Sequence, residues 1–244
     1  MSHGALRPKK SPQHSIQIGF EKHTLIGDVL GPENSPRVLV LHGAGNSNRG
    51  RFQLLREELF AEGISSAAFD FVGHGDTGGD LKSSSLSSRT LQACRVVDAL
   101  NLQQPLSVIG ASMSAYTAVK LLDHYDIKSL ILLVPAMYTA QAYSIPFNRG
   151  FSDIIRQPQS WVQSDAWRLL ADYKGRLLIV AAENDRIIPR DVIDRIYDSA
   201  VHAAGRELYI APNASHFVFT DLRENDPAEF EYVFDQICTV LQEE

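Results

Sequence analysis

Along most of this chain, apolar runs of strand length alternate with runs of helical periodicity, and few folds accommodate that alternation. Residues 15–19 and 24–30 read as a hairpin. Strand-like runs follow at 37–41, 65–71, 106–109, 128–134, 176–182 and 207–211. Residues 49–61 read as a helix with Phe52, Leu55 and Leu59 facing inward. A second helix, capped by Ser87 or Ser88, runs to Leu100 with Leu91, Cys94 and Val97 on one side. A third begins after residue 112, with Ala115, Ala118, Val119 and Leu122 on one face. Pro189 starts a fourth. Asp226-Pro227-Ala228-Glu229 supplies an N-cap, a first-turn proline and a capping-box glutamate for the last, striped by Phe230, Val233, Phe234, Ile237 and Leu241. Strands alternating with helices imply a mostly parallel sheet covered on both faces. Ligands bind such sheets at the carboxyl ends of the strands.

The 244 residues suffice for a single α/β domain, expected over 15–242 behind a flexible tail at 1–14. Hydrophobic residues make up 44%, enough for a large core, but no run reaches the ~18 consecutive apolar residues of a membrane span. The charged start of the chain has no apolar segment behind it and does not read as a secretory signal. Cys94 and Cys238 fall on helix faces and read as buried free thiols, which points to a reducing, cytoplasmic setting. A net charge of −6 with no basic stripe argues against a nucleic-acid partner. No cluster has metal-ligand spacing, and His42-Gly43-Ala44-Gly45 lacks the Lys-Ser/Thr of a phosphate loop. No metal or cofactor is expected.

Ser112 sits where the strand ending at Gly110 gives way to helical spacing. A serine on so sharp a turn has its Oγ pushed outward, with neighbouring N–H groups aimed at whatever that oxygen attacks. The surrounding Gly110-Ala111-Ser112-Met113-Ser114 departs from G-x-S-x-G at its last position, where serine adds only a hydroxymethyl. Ser114 is the weaker candidate nucleophile because it falls inside the helix. A serine needs a base, and the base needs an orienting acid. Of eight histidines, His216 follows the last strand; His42 and His74 read as structural, and His3, His14, His23, His124 and His202 as surface residues. Asp185, just past the strand ending at Ala182, is the candidate acid, with Glu183 as its rival. Asp70 reads as a buried structural acid. The N–H groups of Ala44 and Met113 are the natural oxyanion donors.

Five segments carry a family resemblance: Leu41-His42-Gly43-Ala44-Gly45, Asp70-Phe71-Val72-Gly73-His74-Gly75-Asp76, Gly110 to Ser114, Glu183 to Pro189, and Ser215-His216-Phe217. In that order they resemble the α/β-hydrolase superfamily over about residues 15 to 242, closest to small bacterial esterases and serine aminopeptidase-like hydrolases. The resemblance implies an eight-stranded, mostly parallel sheet whose second strand is antiparallel, and a triad of Ser112, Asp185 and His216.

About forty residues break the alternation between the sixth and seventh strands. This segment, at about 137–173, reads as a short helical lid over the serine, and its Tyr138, Trp161 and Trp167 as substrate-binding residues. The expected function is hydrolysis of a small or medium carboxylic ester through an acyl-enzyme on Ser112, acting on a small-molecule acyl substrate. Thioester, peptide or carbon–carbon cleavage by the same triad remains open. So does a non-catalytic, ligand-binding use of the fold.

Overall fold

The computed structural model describes residues 12–32 and 36–242. Residues 1–11 of the expected tail lie outside the described residues, and by Gln13 the chain has already entered a strand. The described residues form one eight-stranded sheet: β1 (Gln13–Phe20), β2 (His23–Leu30), β3 (Val38–Leu41), β4 (Ser66–Phe69), β5 (Leu106–Ala111), β6 (Ile127–Leu133), β7 (Arg176–Ala182) and β8 (Gly205–Ala211). Their order is β1-β2-β4-β3-β5-β6-β7-β8. β2 is antiparallel to both β1 and β4, and every other neighbouring pair is parallel.

The helices are α1 (Gln53–Ala61), α2 (Leu86–Ala99), α3 (Met113–Lys120), α4 (Ser152–Ile155), α5 (Ala166–Asp172), α6 (Arg190–Ser199), α7 (Val218–Asn225) and α8 (Pro227–Gln242). Successive strand side chains point to opposite faces, so the central strands feed two cores. Leu39, Val108, Leu130 and Ile179 join one core, shared with α2, α3, α5 and α6. Val40, Ile109, Ile131 and Val180 join the other, shared with α1 and α8. That two-sided burial is why these strands read as continuous apolar runs.

The structure departs from the sequence reading at three places. The cap of α2 is Ser85, whose Oγ accepts the Ser88 N–H at 3.1 Å. Starting there, the helix buries Leu86, Arg89, Ala93 and Val96, while Leu91 stands exposed. Pro189 is the N-cap of α6 rather than its first residue. Finally, α7 was not expected at all; only Val218 and Leu222 bury along it, too few to mark a period.

The segment after β6 is helical: a 3₁₀ turn (Ala140–Ala142), α4, a second 3₁₀ turn (Ser160–Gln163) and α5. Backbone hydrogen bonds from Ser87 N–H to Tyr143 O (2.8 Å) and from Phe147 N–H to Ser84 O (2.9 Å) tie it to the start of α2. On the other side of the sheet's switch point, Arg49 braces the chain between β3 and α1. Its guanidinium pairs with Asp28 (2.8 Å), Asp76 (2.7 Å) and Asp70. Burial works against that guanidinium's charge, but the hydrogen bonds to Asp76 and Asp28 outweigh it and hold Arg49 firmly protonated.

Candidate active site

Ser112 occupies φ 50°, ψ −118°, a region costly for any residue with a Cβ. Three backbone hydrogen bonds hold it there: its N–H donates to Leu133 O (2.9 Å), and its carbonyl accepts from Ala115 (3.0 Å) and Ala136 (3.1 Å). The turn is tight because α3 lies against β5. A Cβ on Gly110 would stand 2.6 Å from Ser114 O and 2.8 Å from Ala118 Cβ, so only glycine fits. Ser114 is fully buried in α3. Its Oγ donates to His42 O at 2.6 Å and accepts from the Arg89 guanidinium at 2.8 Å.

His216 lies between the other two expected residues. Its Nε2 is 2.9 Å from Ser112 Oγ and its Nδ1 is 2.8 Å from Asp185 Oδ2. An ionised carboxylate only accepts, so Nδ1 carries the proton and Nε2 turns its lone pair to the serine. Asp185 Oδ1 also accepts the N–H groups of Ile187 (2.8 Å) and Ile188 (3.0 Å). Burial opposes ionisation of Asp185, but the hydrogen bonds from His216, Ile187 and Ile188 prevail and hold its pKa below the ordinary carboxylate value. The rival Glu183 does different work. Its carboxylate accepts Asn213 N–H at 2.8 Å and pins the loop that carries His216.

His42 and His74 are buried. His42 Nε2 accepts Phe71 N–H at 3.2 Å, which leaves Nδ1–H to donate to Gly43 O at 2.8 Å. Burial, then the nearby charges of Arg89 and His74, push the His42 pKa well below its ordinary value. Burial and Arg89 lower His74 as well. Asp70, also buried, accepts Arg49 N–H at 2.8 Å.

The turn after β3 abuts the elbow: a Cβ on Gly43 would lie 3.3 Å from Ser112 Cβ. Among the described residues, no hydrogen bond occupies the Ala44 N–H. Met113 opens α3, so its N–H has no intrahelical acceptor. Its side chain is buried in the core.

A cavity of about 530 Å³ opens over Ser112 and His216. Its walls come from the turn after β3, from Leu133 and Val134, and from the start of α7, with Phe52, Ile187, Phe217 and Phe219 as the large apolar surfaces. Tyr138, Trp161 and Trp167 do not line it. The segment that carries them docks through α5 onto α3 and α6. The Trp167 indole N–H donates to Trp161 O (3.2 Å) and Val162 O (3.0 Å), and the Tyr138 ring meets Tyr116 edge-on at 5.6 Å. Trp167 is buried in the core, and Tyr138 and Trp161 are half-buried against it.

Arg89 was missed from sequence. It is fully buried, stacks over Phe71 at 3.8 Å, and donates to His42 O (2.8 Å) and Gly43 O (3.1 Å). A charged helical residue reads by default as solvated, yet its spacing to Leu86, Ala93 and Val96 puts it on their face.

Among the described residues, no group of His, Cys, Asp and Glu is arranged to hold a metal ion, and no helix is long and apolar enough to cross a membrane. Residues 32–164 match the family described as serine aminopeptidase, S33. Comparison with curated proteins finds no significant match. Solved structures share the fold. An esterase from Exiguobacterium antarcticum is 17% identical, with 94% of this chain and 99% of that one covered at a TM-score of 0.70. The monoacylglycerol lipase of Paleococcus ferrophilus is 17% identical, with 89% and 98% covered at 0.67. A thioesterase domain from the curacin biosynthetic pathway is 16% identical, with 94% and 99% covered at 0.65.

Proposed function

The chain belongs to the serine aminopeptidase S33 family of α/β hydrolases, and from that premise we propose that it cleaves a small or medium carboxylic ester through an acyl-enzyme on Ser112. One observation carries the proposal: the unbroken relay from Ser112 Oγ through His216 to Asp185, at 2.9 and 2.8 Å. His216 Nε2 takes the Oγ proton as Oγ attacks the ester carbonyl. Asp185 keeps the imidazole in the right tautomer and steadies the imidazolium. The N–H groups of Ala44 and Met113 hold the oxyanion; one such donor is worth ~3 kcal/mol. As the tetrahedral intermediate collapses, the imidazolium gives its proton to the departing alkoxide. Water, deprotonated by the same nitrogen, then releases the acid and restores Ser112.

The apolar cavity favours an ester with a hydrocarbon body. Thioesters, peptide N-termini and carbon–carbon bonds fall to the same machinery, and a thioesterase is among the proteins of this fold. The free thiols of Cys94 and Cys238 fit a cytoplasmic setting. A fluorophosphonate is expected to label the wild type at Ser112 and to leave Ser112→Ala unmarked. Equal labelling of the two overturns the proposal. A panel of p-nitrophenyl esters, aryl thioesters and aminoacyl amides then identifies the bond, and activity confined to amides replaces esterase with peptidase.

A further inference from the structure

We infer that the cavity over Ser112 selects substrates that carry a carboxylate on an otherwise apolar body, and that Arg51 is the residue that recognises it. This rests on Ser112 and His216 being the reacting groups.

The charge pattern of the cavity is lopsided. The chain holds 29 acidic residues against 23 Lys and Arg, yet among the described residues no acidic one lines this cavity. Arg51 is the one Lys or Arg among the described residues that line it. Two residues earlier, Arg49 is consumed by Asp28, Asp70 and Asp76 on the far side of the same 3₁₀ turn. Arg51 points the other way. Among the described residues, no carboxylate pairs with it and no side-chain hydrogen bond uses its guanidinium. Its guanidinium carbon lies 4.9 Å from the centre of the Phe217 ring.

That stacking matters because Phe217 follows His216 directly. It lays an exposed planar cation along the wall of the cavity that His216 also lines, while leaving the edge N–H groups open. A guanidinium edge matches a carboxylate with two parallel hydrogen bonds. Phe217 and Ile187, exposed at 51% and 62%, flank the mouth with apolar surface. A ligand with a hydrocarbon stem and an anionic end would cover both and satisfy Arg51. A neutral ester would cover the first and leave the second unmet.

The test measures kcat/KM for two matched substrate pairs on the wild type and on Arg51→Gln, Arg51→Lys and Arg51→Glu. In the first pair the anion is on the acyl side: the p-nitrophenyl monoester of suberic acid against its methyl-capped diester. In the second it is on the leaving group: 4-carboxyphenyl octanoate against 4-(methoxycarbonyl)phenyl octanoate. The readout is the anionic-to-neutral ratio relative to wild type, which cancels the difference in leaving-group chemistry. In one pair that ratio is expected to fall by about five- to tenfold in Arg51→Gln, mainly through KM. Arg51→Lys keeps part of it and Arg51→Glu drops it further. Salt at about 0.5 M compresses the wild-type preference toward the Gln value. The responding pair identifies the side of the ester that carries the charge. A ratio that stays at the wild-type value in both pairs overturns the inference while the esterase stands. Failure of the esterase reading looks different: wild type then cleaves neither neutral ester and Ser112 takes no fluorophosphonate, which overturns both.

Discussion

The hydroxyl of Ser114 donates to the carbonyl of His42 across 2.6 Å and accepts the Arg89 guanidinium at 2.8 Å. The position where the resemblance expects glycine is thus occupied by a polar strut. It joins the start of the helix behind Ser112 to the turn that carries Ala44. Arg89 completes the strut by bonding the carbonyls of His42 and Gly43.

Ser114→Ala removes the strut but leaves Arg89 two carbonyl acceptors. The expected cost is about 1 kcal/mol, or a Tm lower by roughly 2–4 °C for a chain of this size. Because an oxyanion donor lost outright costs about 10²–10³ in kcat, a merely loosened turn is expected to cost about three- to tenfold, with KM unchanged. Steady-state kinetics on the preferred ester check this; a loss confined to KM counts against it.

Acid destabilises the fold in two windows. Burial lowers the pKa of His42, and of His74 less strongly, so the folded protein refuses protons that the unfolded chain accepts near pH 6.5. Stability therefore falls as pH drops from about 7 toward 5, by up to ~1.4 kcal/mol per pH unit for each histidine. Asp185 acts lower down. Its depressed pKa contributes stability above the unfolded value near 3.9, and that contribution disappears as pH falls through the folded value. Melting curves at pH 7.5, 6 and 5 are expected to show a shallower decline for His42→Gln than for wild type. Equal slopes refute the assignment.

Asp185→Asn keeps the size of the side chain and reverses its bonding. The amide NH₂ donates to His216 Nδ1, so Nε2 carries the hydrogen and faces Ser112 with no lone pair. The expected loss in kcat is about 10³–10⁴, with Tm changed by only a few degrees. Retention of more than a tenth of the activity would show that Glu183 can substitute.

The sheet was legible because its central strands are apolar on both faces, and the meeting of Ser112, His216 and Asp185 because all three fall just past strand ends. Three things were not legible, each for a physical reason. The insertion's aromatic residues looked alike whether they filled core or lined a cavity, and docking onto α3 and α6 decided for core. α7 buries only two residues and so leaves no periodic trace. Arg89 broke the rule that charged helical residues face water, because backbone carbonyls rather than a carboxylate receive it.

At Ser112, the proposed nucleophile, activity and durability are set against each other. The backbone geometry that thrusts Oγ toward His216 and the cavity is one that glycine adopts freely and serine adopts under duress. Ser112→Ala keeps that burden and Ser112→Gly sheds it. Urea unfolding is therefore expected to rank the inert glycine variant above the inert alanine variant by about 1 kcal/mol. On the proposed function, the chain becomes hardier through the very substitution that ends its catalysis.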